Sequence, residues 1–124
     1  MGAQGHLQMS VHARAGFEAL VSSLPGTSLV EQWEALVAKV GGKVFCLLGN
    51  NSASLSFKVS ETSFEGLTAS PGIGQAPYFA KGQWVTVEQG ALDDPTLRAY
   101  IEQAHRIIAG KLTRKARTEL GIPF

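Results

Sequence analysis

Between Leu36 and Val59 the apolar residues fall into short β-rich runs that are separated by turn sequences. Gly41-Gly42 divides the first two runs. Because glycine adopts positive φ at little cost, a Gly-Gly pair between two such runs is typical of a two-residue hairpin. The segment Gly49-Asn50-Asn51-Ser52 supplies a second turn before the next run. The pattern predicts a three-stranded antiparallel meander.

The third run of this meander alternates between apolar and polar residues. Leu55, Phe57 and Val59 share one face, and the other face carries Ser54, Ser56 and Lys58. A period of two with one polar face predicts a strand that packs on helices on one side and is open to water or a ligand on the other. The run Lys43 to Leu48 is apolar on both faces, which favours a more central position in the sheet.

The hairpin also predicts a register. With a two-residue turn at Gly41-Gly42, Val40 opposes Lys43 and Lys39 opposes Val44. Lys39 and Lys43 are then expected near one tip of the sheet, on opposite faces.

Three segments have apolar residues at helical spacing, and each follows a residue that can cap a helix. The predicted helices are Val11 to Leu24 after Ser10, Glu61 to Ala69 after Ser60, and Pro95 to about Lys111 after Asp94.

Two further strands and one loop complete the prediction. Residues 27–33 are compatible with a short edge strand, and Gln83 to Glu88 alternates as a last strand. Gly72 to Phe79 is rich in Gly and Pro, which favours a long shaped loop. The fold class is therefore α+β, in the order α-β-β-β-β-α-β-α, with helices on one face of an antiparallel sheet.

Length and composition are typical of one folded domain. The chain has 124 residues, of which 44% are hydrophobic and 17% charged. We assign residues 9–124 to the domain and expect residues 1–8 to be a leader or vector-derived. A monomer is favoured.

The sequence favours a cytoplasmic protein. No apolar run approaches the length of a membrane-spanning helix, and the beginning lacks the layout of a secretory signal. Cys46 has no second cysteine to pair with, which favours a reducing compartment.

Catalytic and metal-binding signals are weak. His6, His12 and His105 lack the spacing of metal ligands, and His105 flanks the apolar stripe of the last helix. Cys46 lies inside a predicted core strand, where a small buried residue is expected rather than a nucleophile. Asp93-Asp94 is explained by helix capping. We predict a protein that is not an enzyme and uses no cofactor or metal.

Several short motifs together resemble the MmcQ/YjbR family over about Ser10 to Arg117. In chain order they are Val40-Gly41-Gly42-Lys43-Val44-Phe45, Phe57-Lys58, Ala76-Pro77-Tyr78, Gln83-Trp84-Val85, Leu92-Asp93-Asp94 and Ala109-Gly110-Lys111-Leu112. The resemblance implies an α+β fold similar to that of frataxin-like (CyaY-like) proteins. It also implies DNA binding through a double-wing arrangement.

The chain departs from the family at one position. Many relatives carry a Ser-Tyr pair in the last helix where this chain has Ala104-His105. A role that rests on that hydroxyl pair would not transfer.

The first functional hypothesis is contact with a nucleic-acid backbone, with DNA as the partner. The predicted contact residues combine cations that neutralise phosphate with one aromatic that stacks on a base: Lys39, Lys43, Lys58, Lys81, Trp84, Lys111, Arg114 and Lys115. The alternative for the cations is an ordinary solvated surface, and the alternative for Trp84 is packing against residues 76–79. A net charge of +1 counts against a dedicated DNA-binding protein.

A second hypothesis belongs to another class. The Gly72 to Phe79 loop and Trp84 can form an apolar, partly concave surface for a small molecule or a protein. An exposed apolar patch or a pocket against this loop would favour this hypothesis over nucleic acid.

Overall fold

A six-stranded antiparallel sheet is the centre of the computed structural model, which describes residues 9–124. The predicted leader, residues 1–8, lies outside the described residues. The elements in chain order are α1 (Arg14–Ser22), β1 (Thr27–Gln32), β2 (Ala35–Val40), β3 (Lys43–Gly49), β4 (Leu55–Lys58), α2 (Glu61–Thr68), β5 (Ile73–Gln75), β6 (Trp84–Val87), α3 (Asp94–Ala109) and α4 (Arg114–Glu119). The strands lie in the order β1-β2-β3-β4-β6-β5.

The α+β class and the predicted meander are confirmed. The register at the first turn is also as predicted, with Val40 opposite Lys43 and Lys39 opposite Val44. The register then shifts by one residue between Ala38 and Lys39, which is a bulge that the pattern did not indicate.

Two elements are present beyond the predicted order. Residues 72–79 were expected to form one irregular loop, but Ile73 is buried and β5 pairs with β6. The basic segment after α3 forms α4, whose first turn is capped by Thr113 accepting from the amide of Ala116 at 3.1 Å. Both elements are short, and their own pattern is too brief to predict them.

Two helices begin at a different residue from the one predicted. Asp93, and not Asp94, caps α3, and its side chain accepts from the amide of Thr96 at 3.0 Å. The carboxylate of Asp94 instead accepts from the amide of Val11 at 2.8 Å. This long-range bond holds Val11 outside α1, which therefore begins at Arg14 rather than after Ser10. The cap of α2 by Ser60 is confirmed.

The core lies between the helices and one face of the sheet. It contains buried side chains of the central strands and of the helices α1 and α3: Leu36, Phe45, Leu48, Leu55, Phe57, Val85, Val87, Phe17, Leu20, Leu97, Ile101 and Ile108. Two contacts between aromatic rings join the layers, Phe57 stacked on Tyr100 and Phe45 edge-on to His105. The helices thus cover the face that the alternation predicted.

Leu112, which follows α3, packs on the turn at Gly41-Gly42. Both glycines have positive φ, 57° and 81°. A Cβ atom on Gly41 would lie 2.6 Å from Cδ1 of Leu112, whereas a Cβ on Gly42 would meet nothing within 4 Å. The first glycine therefore serves both the turn and the packing of Leu112.

Alanine at these two glycines separates the two effects. Each variant should lose about 1–2 kcal/mol of unfolding free energy, because alanine is disfavoured at positive φ. Gly41→Ala should lose about 1 kcal/mol more, since its Cβ displaces Leu112. Urea denaturation of both variants measures the difference. Equal losses would mean that Leu112 moves aside without cost.

Candidate functional site: an aromatic groove on the open face of the sheet

The face of the sheet opposite the helices carries small and polar side chains along its centre. Leu47, Ser56 and Thr86 lie side by side on β3, β4 and β6, because they are register partners. Ala35 and Gly49 are paired in the same way towards β2. The short side chains of Ala35, Gly49, Ser56 and Thr86 leave a depression in this face, which Leu47 also lines.

The depression is a groove of about 620 Å³. Three segments rise around its floor: the β1–β2 turn, the β3–β4 turn and the loop after β5. The lining residues are Trp33, Glu34, Ala35, Leu47, Gly49, Asn50, Asn51, Ser52, Ser54, Ser56, Pro77, Tyr78, Phe79 and Thr86. Its size and its mixture of aromatic, apolar and polar groups are those of small-molecule sites.

Exposed aromatic side chains stand at the rim of the groove. Trp33 is 62% exposed, and Tyr78 is exposed over its whole side chain. Phe79, which also lines the groove, is half-buried. Large aromatic side chains are normally covered in a folded protein, so their exposure around one depression is informative.

The rim is built from backbone that its side chains disfavour. Trp33 and Glu34 form the two-residue β1–β2 turn with φ 56° at both positions, and Tyr78 has φ 69°. Asn-Gly or Gly-Gly is preferred where both turn residues have positive φ, and the β2–β3 turn of this sheet uses Gly41-Gly42. The same sheet therefore contains one such turn with favourable residues and another with Trp-Glu. Strain of this kind is concentrated at functional sites in proteins.

The side chain of Gln75, at the end of β5, joins the two ends of the loop that follows. The Nε2 atom of Gln75 donates to the carbonyl of Ala76 at 2.8 Å, and its Oε1 atom accepts from the amide of Gly82 at 2.9 Å. Phe79 stacks on Trp84 with ring centroids 4.1 Å apart. These contacts fix the wall of the groove that Pro77 and Tyr78 form.

Trp84 and Lys58 lie on the predicted face but are covered by this loop. Trp84 is 7% exposed and Lys58 is 6% exposed, so the expectation of an open stacking platform was wrong. The alternative that Trp84 packs against residues 76–79 is correct. The ammonium of Lys58 donates to Oε1 of Gln83. Burial lowers the pKa of Lys58, and the charge of Lys111 lowers it further.

Most of the predicted cations lie at one end of the sheet. This end is here called the basic end and is defined by Lys39, Lys43, Lys58, Lys81 and Lys111. Lys39 and Lys43 flank the Gly41 turn, and Leu112, next to Lys111, packs on that turn. Lys58, at the end of β4, is the register partner of Trp84 at the start of β6. Lys81 lies in the loop between β5 and β6, three residues before Trp84. Hairpin geometry puts the turns at Trp33 and Asn50 at the opposite end of the sheet.

The exposure of these cations differs. Lys43, Lys81 and Lys111 are exposed, as are Arg114 and Lys115 on α4, whereas Lys39 is half-buried. One acidic residue, Glu61, is close enough to affect the pKa of Lys58. The binding roles of these residues stay predictions.

Of the chemically reactive side chains, Cys46 and His105 lie in the core, and His12 contacts the β3–β4 turn that borders the groove. Cys46 is buried in the core as predicted, and burial raises the pKa of its thiol. His105 is more deeply buried than expected, with Nε2 2.8 Å from the carbonyl of Pro25. Nδ1 of His12 lies 2.7 Å from the carbonyl of Ala53.

Residues 9–124 contain no cluster of three His, Cys, Asp or Glu side chains that could hold a metal ion. Within the same residues, no helix has the length and apolarity to cross a membrane.

The sequence model of the YjbR family matches residues 22–107. The chain belongs to the YjbR family. This result confirms the resemblance seen in the sequence. No curated protein matches the chain.

Two crystal structures are similar to this YjbR-family domain. One is the Deinococcus radiodurans protein DR2400, with domain DUF419, at 25% identity and a TM-score of 0.83, covering 94% of this chain and 93% of that chain. The other is a protein from Pseudomonas syringae, at 20% identity and a TM-score of 0.63, covering 77% of this chain and 97% of that chain. They show the same fold, and their names state no ligand.

Sequence reasoning missed the groove because its rim comes from three separate turns. Tyr78 and Phe79 were included in the alternative surface, but Trp33, Glu34 and the residues at 50–52 were not. One signal was present: the strand expected at 27–33 continues after two residues into the next β-rich run. That spacing indicates a tight hairpin turn near Glu34, and the structure places the turn one residue earlier, at Trp33-Glu34, although neither residue favours one.

The strained turn predicts a stabilising change. Replacing Trp33 by Asn together with Glu34 by Gly should raise the free energy of unfolding by about 1–2 kcal/mol, because these residues accept positive φ. Trp33→Phe is the matched control, since it keeps a bulky side chain at the same φ and should give no gain. Thermal and urea denaturation measure both. A double variant no more stable than the parent would show that the turn is not strained.

Proposed function

We propose that this YjbR-family domain is a non-enzymatic binding protein and that its ligand site is the aromatic groove. One observation carries the proposal: the β1–β2 turn holds Trp33 and Glu34 at positive φ, at the rim of a depression that Tyr78 borders from the opposite side. A turn selected for stability would use Asn or Gly here. Residues that cost stability but project an aromatic over a groove are typical of a site kept for binding.

The chemistry of the lining supports binding rather than catalysis. Among the lining residues, the polar groups are hydroxyls, amides and the Glu34 carboxylate. The imidazole of His105 contacts the carbonyl of Pro25 and the Cys46 thiol is buried, both outside the lining. The imidazole of His12 contacts the carbonyl of Ala53 in the β3–β4 turn and is not among the lining residues. The groove thus offers hydrogen bonds and aromatic surface to a ligand.

A protein-observed NMR titration with a library of small aromatic compounds tests the proposal. Binding compounds should shift the amide signals of Leu47, Ser56 and Thr86 on the floor. Combined replacement of Trp33 and Tyr78 by Ala should weaken their binding on the order of tenfold, since each aromatic contributes about 0.5–1.5 kcal/mol. Leu120→Ala, which truncates an exposed apolar residue at the end of α4 and outside the lining of the groove, is the control.

Two results would overturn the groove as the ligand site. One is that no compound in the library shifts the amide signals of the residues on the floor of the groove. The other is binding that the Trp33 and Tyr78 replacements leave unchanged.

A second candidate, contact with a nucleic-acid backbone, is supported by the basic end. Lys58 and Lys111 are close enough for one charge to lower the pKa of the other, and Lys43 lies at the turn on which Leu112 packs. The exposed lysines of this end, Lys43, Lys81 and Lys111, can contact phosphates without reading bases. The groove does not contribute cations to such a surface.

Labelled duplex and single-stranded DNA, each titrated at two salt concentrations, test this candidate. Binding should weaken steeply with salt because bound phosphates release counterions. Replacing Lys43 and Lys111 by Gln should weaken it on the order of tenfold, and the Trp33 and Tyr78 variant should bind DNA as the parent does. Binding that is absent at micromolar protein, or insensitive to salt, would exclude the candidate.

A further inference from the structure

The formal charge on the lining of the groove is negative. Glu34 is the one lining residue with a formal charge, and its side chain is exposed. The ion pairs found within residues 9–124 join Arg14 to Glu18 and Glu31, and Arg98 to Asp94. The carboxylate of Glu34 therefore has no cationic partner in the described part of the chain.

The aromatic side chains at the rim also favour a positively charged ligand. The faces of Trp and Tyr rings carry partial negative charge and attract cations, most strongly for Trp. Trp33 precedes Glu34 in the turn, and Tyr78 lies on the opposite wall. The basic end, by contrast, surrounds the turn at the other end of the sheet. An anionic ligand in the groove would face a carboxylate and three aromatic rings.

We infer that the groove binds an organic cation, an ammonium group carried on an apolar or aromatic body. The ammonium lies beside Glu34 and against the face of Trp33. The body packs on Leu47 and Ala35, and the hydroxyls of Ser56 and Thr86 accept hydrogen bonds from donors that point to the floor. This inference rests on the proposed function, because it specifies the ligand of the same groove.

Three small probes of nearly equal size separate charge from shape. At pH 7 phenethylamine is a cation, phenethyl alcohol is neutral and phenylacetate is an anion. The cation should bind on the order of tenfold more tightly than the alcohol, since a cation–π contact and one exposed ion pair contribute about 1–2 kcal/mol together. Phenylacetate should bind most weakly. NMR titration of the floor amides gives all three affinities.

Glu34→Gln tests the source of this preference. It should reduce the advantage of the amine over the alcohol to about threefold, which is the part due to the aromatic rings. The affinity for the alcohol should not change. Glu65→Gln removes a carboxylate of the same kind from the exposed face of α2 and should keep the full preference. Unfolding midpoints of both variants check that the fold is intact.

The outcomes distinguish this inference from the proposal on which it rests. If the alcohol or phenylacetate binds as tightly as the amine, the groove stands as a ligand site and the preference for a cation is wrong. If Glu65→Gln lowers the preference as much as Glu34→Gln does, the effect comes from overall charge and the role of Glu34 is wrong. If none of the three probes binds but other aromatic compounds do, the inference alone fails. If no compound binds the groove, both fail.

Discussion

The antiparallel register set at Gly41-Gly42 is the constraint on which the rest of the structure depends. Because side chains alternate along a strand, the turn pairs Val40 with Lys43, and the bulge between Ala38 and Lys39 then shifts the pairing by one residue to the register of the central strands. The helix-facing set of these strands forms the core, and the opposite set forms the floor of the groove. A slip by one residue would exchange the two sets. Leu112 secures this turn from outside, at a position where only glycine leaves room for it.

The two faces of the sheet are covered by different elements. Helices cover the first face with apolar side chains that interlock with those of the strands. The second face is covered in part by the loop after β5, which Gln75 and the Phe79–Trp84 stack hold in place. The remaining part stays open as the groove. This division explains why Trp84 is covered by Phe79 while Ser56 and Thr86, which lie two residues from Lys58 and Trp84 on the same strands, form the floor of a depression.

Stability and binding make opposite demands at the rim of the groove. Positive φ at Trp33, Glu34 and Tyr78 disfavours the native state, and the core of the domain offsets that cost. The contrast with Gly41-Gly42 is informative because both turns belong to the same sheet. One turn meets the demands of folding alone. The other carries side chains that folding does not require, which is the physical basis for proposing the ligand site there.

The sequence by itself determined the α+β class, the meander, the cap of α2 and the partition of β4 into an apolar and a polar face. These follow from local turn chemistry and from periodicity, which act over a few residues. It did not determine the burial of Trp84, the start of α1 or the existence of β5. The start of α1 depends on a partner far along the chain, the carboxylate of Asp94. The burial of Trp84 depends on the loop that brings Phe79 onto its ring, and β5 depends on pairing with the edge of β6, so neither follows from the pattern of its own segment. The groove was decided by tertiary structure for the same reason, because three turns distant in sequence meet only when the register brings their strands together.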